Sequence, residues 1–190
     1  EYWLETEARL RTDFNLYGIR TDRIARIKRK SAMKEVFRSA GGRVARGSVV
    51  RTLEEARRLV AETGFPVVAK PDIGVGAMAT YKIRDEGELT RFFLEKPPVD
   101  YIFEEFIHGR IFSFDGLADR DGRVVFEASL KYSRGIMEVV NEDSDVWYHA
   151  SREIEPDLLD AGRRLVRAFA IRERFFHIEF FRRGDGSLSA

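Results

Sequence analysis

Val67-Val68-Ala69-Lys70-Pro71-Asp72-Ile73-Gly74-Val75-Gly76 is the stretch whose reading decides the fold. Val67, Val68 and Ala69 suit a buried strand. Pro71 has no N–H to give to a ladder, so the strand ends there. Gly74 and Gly76 carry no Cβ, which lets the loop backbone approach a ligand closely. Loop amides beside the Lys70 ammonium form a seat for a polyphosphate. Alone, the stretch also reads as a plain hairpin with a surface lysine, and its neighbours decide between the two.

Thr80 to Ile83 returns as the hairpin partner of this strand. Upstream, Thr52-Leu53-Glu54-Glu55 is a capping box, and Leu53, Ala56, Leu59 and Val60 give its helix an apolar stripe that Gly64 closes. Downstream, Asp85 and Glu88 cap a helix with Leu89, Phe92 and Phe93 inward, stopped by Pro97-Pro98. Gly47 to Val50 is a short extended piece. Before it, Arg29 to Ala40 reads as a helix with a Met33, Val36, Phe37, Ala40 stripe, ended by Gly41-Gly42, and Lys30 lies in its first turn. Together these make an α+β unit of roughly 70 residues, a fair size for a subdomain. Glu1 to Leu16 is helix-like, with Trp3, Leu10 and Phe14 on one side, and reads as the tail of a preceding domain.

Past Pro98 the chain changes character. Asp100 to Ile107 is a strand carrying Glu104 and Glu105, which alternation sends to opposite faces. An acid among Tyr101, Ile102, Phe103 and Phe106 needs a partner, so the plain reading is a salt-bridged Glu104 and a solvated Glu105. Arg110 to Ala118 puts Ser113 and Asp115 on one face and Phe112 and Phe114 on the other. Asp121-Gly122 turns it into a returning strand, Arg123 to Leu130. Lys131 to Glu155 reads as a loop, with polar residues clustered at Asn141 to Asp145. Pro156 suits the first position of a helix, whose stripe is Leu158, Leu159, Gly162, Leu165, Val166 and Phe169. In the strand Phe175 to Arg182, Phe176, Ile178 and Phe180 face one way and His177 and Glu179 the other. Asp185-Gly186 then turns the chain into a partner strand.

The 190 residues are 44% hydrophobic and 34% charged, enough for one domain or for two small subdomains sharing a site. The absence of cysteine excludes thiolate metal sites, thiol nucleophiles and disulfides, and agrees with a cytoplasmic protein. A net charge of +1 with scattered arginines gives no nucleic-acid signature. No apolar run approaches the length of a membrane span. His177 and Glu179 are too few to define a zinc site, and His108 and His149 have no spacing to support them.

Four pieces in order, Lys30-x-x-Met33-Lys34, Pro66-Val-Val-Ala-Lys70-Pro71-x-x-Gly74-x-Gly76, Glu104-Glu105-Phe106-Ile107-x-Gly109 and His177-x-Glu179-Phe180, resemble an ATP-grasp domain. The resemblance covers nearly the whole chain and is nearest the carbamoyl phosphate synthase-like and biotin carboxylase-like branch. No single piece is specific; their joint order carries the signal. The resemblance implies an α+β fold of two subdomains whose antiparallel sheets grip a nucleotide. Residues 1–24 are then the last helix and linker of a preceding domain. Residues 25–99 are the small subdomain with the glycine loop, and 100–190 the large subdomain, incomplete at its C-terminus.

The resemblance also implies roles. Lys70 and Lys30 reach the phosphates and carry the catalytic charge, and Gly74, Val75 and Gly76 close over them. Main-chain groups of Glu105 and Ile107 read the adenine edge beside Phe106, Glu104 accepts from its exocyclic amine, and Lys131 adds a further phosphate contact. Glu179 is the first of two acids ligating Mg²⁺, or Mn²⁺ in its place. The implied protein is an ATP-dependent carboxylate–amine ligase that activates a small-molecule carboxylate as an acyl phosphate. Two departures stand out: Ile111 occupies the place of an acid that contacts the ribose, and the second metal acid falls beyond Ala190. Ile111 supports an alternative, a non-catalytic nucleotide-binding module, and the second acid would support it too if the natural protein lacks it.

Overall fold

The computed structural model describes residues 3–74, 77–135 and 145–190. The chain forms two antiparallel sheets, each covered on one face by helices.

The smaller sheet has four strands. β1 (Gly47–Val50), β2 (Val67–Pro71), β3 (Tyr81–Ile83) and β4 (Tyr101–Glu105) lie in the order β1-β4-β2-β3. Helices α4 (Leu53–Thr63) and α5 (Glu86–Glu95) cover one face. Thr52 and Glu55 close the expected capping box on α4, and Asp85 caps α5. Val67 and Ala69 of β2 and Tyr101 and Phe103 of β4 point into this core with Val50, Ile83, Leu89 and Phe92. That packing explains a departure from the expected division at residue 99/100. Tyr101 and Phe103 belong to the small core, so β4 joins the small sheet, and the chain leaves the ladder at Phe106–His108.

The larger sheet runs β10-β9-β5-β7-β8, with β6 also on β5. Its strands are β5 (Gly109–Ala118), β6 (Val124–Ala128), β7 (Leu130–Tyr132), β8 (Tyr148–Ala150), β9 (Arg174–Arg183) and β10 (Leu188–Ser189). Phe112, Phe114, Phe176, Ile178 and Phe180 face α6 (Pro156–Ala168) and pack on Leu158, Leu165 and Val166. A one-residue slip of β5 would exchange Phe112 and Phe114 for Ser113 and Asp115. It would move side chains worth about 1.5–3 kcal/mol each out of the core, so the register is firmly set. Gly162 marks the closest approach of α6: a Cβ there would lie 2.2 Å from Phe114 Cδ1.

β7 and β8 replace part of the loop expected over 131–155, pairing Lys131 with His149 and Tyr132 with Tyr148. Tyr148 to Ala150 is exposed at every position, so no alternation betrayed it. Asn141 to Ser144 of the expected polar cluster lie outside the described residues. Among the described residues no helix is long and apolar enough to cross a membrane.

At the N-terminus, α1 (Leu4–Asp13) buries Ala8, while Trp3, Leu10 and Phe14 are exposed. A short α2 (Ala25–Lys28) follows, then α3 (Lys30–Ser39). α3 starts one residue later than its periodicity suggested, because Arg29 is extended and bridges Ile73 just past β2. α3 lies between the two units. Its Phe37 meets Phe169, at the end of α6, edge-on at 5.3 Å, and its Lys34 reaches under the small sheet.

Candidate nucleotide site

Each sheet packs its apolar core under helices on one face and carries polar side chains on the other, which α3 partly covers on the small sheet. Cross-strand pairing puts Val68, Lys70, Ile102 and Glu104 on the open face of the small sheet. On the large sheet, Ser113 pairs with Glu179 and Asp115 with His177, all on the face away from α6. Four residues further along that face, Arg183 reaches back to Glu105 at 3.0 Å.

Glu104 is the centre of the small-sheet site. Its side chain is 9% exposed and bridges two lysines: Oε1 accepts from Lys34 and Oε2 from Lys70. Lys34 also donates to the Ala45 carbonyl at 2.6 Å. Burial pushes the Glu104 carboxyl up, but the Lys70 and Lys34 ammoniums outweigh it and hold the carboxyl below its ordinary range. Burial likewise pulls the Lys34 amine down, and the Glu104 charge restores part of that. Lys70 is 30% exposed and so meets both the carboxylate and solvent. The expected partner of Glu104 therefore exists, and it is double. Lys34 was absent from the expected site. The available signal was an apolar stripe in which a lysine directly follows Met33.

Lys30 and the loop form a second cluster. Lys30 Nζ donates to the Pro71 carbonyl at 2.8 Å and the Gly74 carbonyl at 3.0 Å, so the lysine grips the start of the glycine loop. Asp72, 2% exposed, caps α3 from across the chain. It accepts from the Ser31 N–H at 2.8 Å and the Ser31 hydroxyl at 3.0 Å, and pairs with Arg29 at 3.2 Å. Arg29 at the N-cap has no side-chain oxygen to do this. Asp72→Ala is expected to cost about 1–2 kcal/mol, the worth of a lost N-cap, measured by urea unfolding. Val75 and Gly76 lie outside the described residues.

At the hinge, Glu105 is not a solvated acid. It accepts from Arg46 N–H at 3.1 Å, Arg46 Nε at 2.9 Å and Arg183. Burial raises its carboxyl, and these bonds more than reverse the rise. Its own N–H donates to the Arg46 carbonyl at 2.8 Å. Phe106 lies under the Lys82 ammonium, 3.8 Å from its ring centre, and Ile107 follows outside the ladder.

On the large sheet, His177 stands between two acids. Its Nδ1 is 2.5 Å from Asp115 Oδ1 and its Nε2 is 3.5 Å from Glu179. Ser113 donates to the other Asp115 oxygen. The bonds to Asp115 and then Glu179 push the imidazole up to about 10, against burial. His177 is accordingly expected to stay charged through neutral pH, and Asp115→Asn to return it toward the ordinary histidine range. An NMR titration of its ring protons reads both. Glu179 is 45% exposed and offers a hard oxygen. Among the described residues no group of three His, Cys, Asp or Glu surrounds a metal position. Lys131 does not join this cluster. It points to the opposite face, with Nζ 5.6 Å from the Phe112 ring centre, and lines a cavity of about 560 Å³ with Arg110 and Arg182. Its neighbour Tyr132 faces Asp115 and Glu179 instead; burial and these acids raise its phenol. Ile111, 8% exposed, sits on the open face beside Phe181.

Two antiparallel sheets joined by a hinge, with a lysine near the end of a strand before a glycine loop, are arranged as in solved ATP-grasp structures, and the chain has the ATP-grasp fold. It is 33% identical over 141 residues to the carbamoyl phosphate synthase large chain of Thermus thermophilus, covering 66% of this chain and 13% of that one. It is 30% identical over 126 residues to the same protein of a Mycobacterium species, covering 64% and 11%. The chain thus spans about an eighth of the length of the curated relatives it matches. No family model matches it. Among solved structures it is similar to the biotin carboxylase domain of Hydrogenobacter thermophilus 2-oxoglutarate carboxylase in complex with MgADP, ADP and bicarbonate. The TM-score there is 0.72 and the identity 22%, over 99% of this chain and 45% of that one. It is also similar to carboxyaminoimidazole ribonucleotide synthase from Aspergillus clavatus complexed with ATP. That match has a TM-score of 0.76 and 15% identity, over 95% and 48%.

Proposed function

We propose that this domain binds MgATP for a cytoplasmic ATP-dependent ligase that activates a small-molecule carboxylate for attack by an amine. The observation that carries this reading is the charge arrangement on the open faces. Lys70 stands part-exposed on a buried carboxylate at the mouth of the glycine loop, and a solvent-facing carboxylate, Glu179, lies on the other sheet. Lys70 is a fixed positive charge for phosphate oxygens, held so that little reorganisation is needed when a nucleotide binds. Lys30, tied to the Pro71 and Gly74 carbonyls, sets the loop's starting point and adds charge there. The Glu105 carbonyl and the Ile107 N–H serve as acceptor and donor for the adenine edge.

Glu179 fits Mg²⁺, or Mn²⁺, as one hard ligand, the ion taking its remaining oxygens from phosphates and water. Bound there, the ion would neutralise charge on the transferring phosphoryl group. Glu104 takes a different share from the one its motif position implied. With each oxygen on a lysine, it holds Lys70 in place.

Ile111 favours a second reading, a nucleotide-binding module without turnover, because a buried apolar residue occupies the place expected for an acid. Calorimetry with MgADP on the full-length protein tests both. Saturable, Mg²⁺-dependent binding supports the site, and ADP release with a carboxylate–amine pair selects the ligase. No binding of MgADP or MgATP overturns both readings.

A further inference from the structure

We propose that Lys34 is a positioning residue of the nucleotide site: acting through Glu104, it fixes where the Lys70 ammonium stands. The inference rests on the reading of Lys70 as a phosphate contact.

The geometry carries it. Lys34 takes one Glu104 oxygen and leaves the other for Lys70. Lys70 therefore meets the carboxylate through one oxygen, and its 30% exposed side chain leaves N–H donors for a ligand. Lys34 is itself immobilised, with its side chain 7% exposed and its ammonium bound also to the Ala45 carbonyl at 2.6 Å. The Glu104 side chain is confined from its other side by Gly47. A Cβ on Gly47 would lie 2.9 Å from Glu104 Cγ and 2.1 Å from the Phe103 carbonyl oxygen, so the glycine leaves room for the carboxylate and nothing more. Without Lys34, Glu104 is free to draw Lys70 inward with both oxygens. For stability alone, an apolar side chain of similar length would serve as well as a buried ion pair. What the ammonium adds is a fixed carboxylate.

The test is MgADP affinity by calorimetry on the full-length protein and on Lys34→Met, Glu104→Gln, the Lys34→Met/Glu104→Gln pair and Lys70→Ala. All are measured well below their melting temperatures, so that affinity is read on folded protein. Lys34→Met is expected to weaken binding about tenfold. The double variant is expected to bind no worse than Glu104→Gln, because Lys34 acts only through the carboxylate. Unchanged affinity in Lys34→Met, with a lowered melting temperature, overturns the proposal and leaves Lys34 a purely structural residue. If Lys34→Met does not fold, the double variant, which leaves no buried charge unpaired, decides. Equal affinity with Glu104→Gln supports the proposal, and a further loss overturns it. If the wild-type protein binds no nucleotide, the functional reading falls and this inference with it. If Lys70→Ala abolishes binding while Lys34→Met keeps it, this inference falls alone.

Discussion

Lys70→Ala is expected to weaken MgADP binding by about hundredfold while leaving the fold nearly as stable as before. The size follows from removing one member of a partly desolvated charge pair that, on the proposed function, contacts a polyanion, near 2.8 kcal/mol. The small stability cost follows from what stays behind. Glu104 keeps its bond to Lys34, so no buried charge is orphaned, and Lys70 is the most exposed member of the trio. Val67 and Ala69, which anchor β2 in the core, point to the other face and are untouched. Calorimetry gives the affinity and a thermal melt gives the stability. A loss of binding matched by a large drop in melting temperature would mean that Lys70 holds the sheet together rather than the ligand. Unchanged affinity would remove Lys70 from the site.

Why Lys70 was legible and Lys34 was not is a matter of where each signal resides. The β2 strand, its proline stop and the glycine loop are local features, and each follows from one or two residue types. So do the Thr52 capping box, the Pro156 helix start and the alternation that sets Phe112 and Phe114 against Ser113 and Asp115. Lys34 and Glu104 are 70 residues apart, and their bond exists because α3 crosses from the large unit to the small sheet. Asp72 capping α3 is the same kind of event, a cap supplied from 41 residues away. β4 was misassigned to the large unit for a related reason. A strand announces its own period but not which of two sheets it will join, and pairing partners are tertiary information. The nucleotide and metal roles are what the resemblance to a known family implies, and spacing alone leaves them open.

Glu104→Ala is expected to be the most destabilising single change at the site, at about 3–5 kcal/mol, the cost of leaving a buried charge without its partner. In a chain of this size that lowers the melting temperature by on the order of 10 °C. Lys34 is the reason. Its ammonium would keep one carbonyl partner, Ala45, and lose its counter-charge inside a region from which water is largely excluded. The pH dependence separates this cause from simple loss of packing. In the wild-type protein the Glu104 carboxyl is held below its ordinary value of 4.5. Its contribution is therefore fully present above that value and is lost as pH falls through the depressed one. In Glu104→Ala that acid limb is missing, so the gap between the two proteins narrows as the solution is acidified. At alkaline pH the sign is set by Lys34. Its pKa, already lowered by burial, falls further without Glu104, so the unfolded chain binds the extra proton and the variant gains stability as pH rises. Urea unfolding of both proteins across the acid and alkaline ranges measures the gap. A constant difference at every pH would assign the loss to the cavity left by the side chain and not to the Lys34–Glu104–Lys70 bridge.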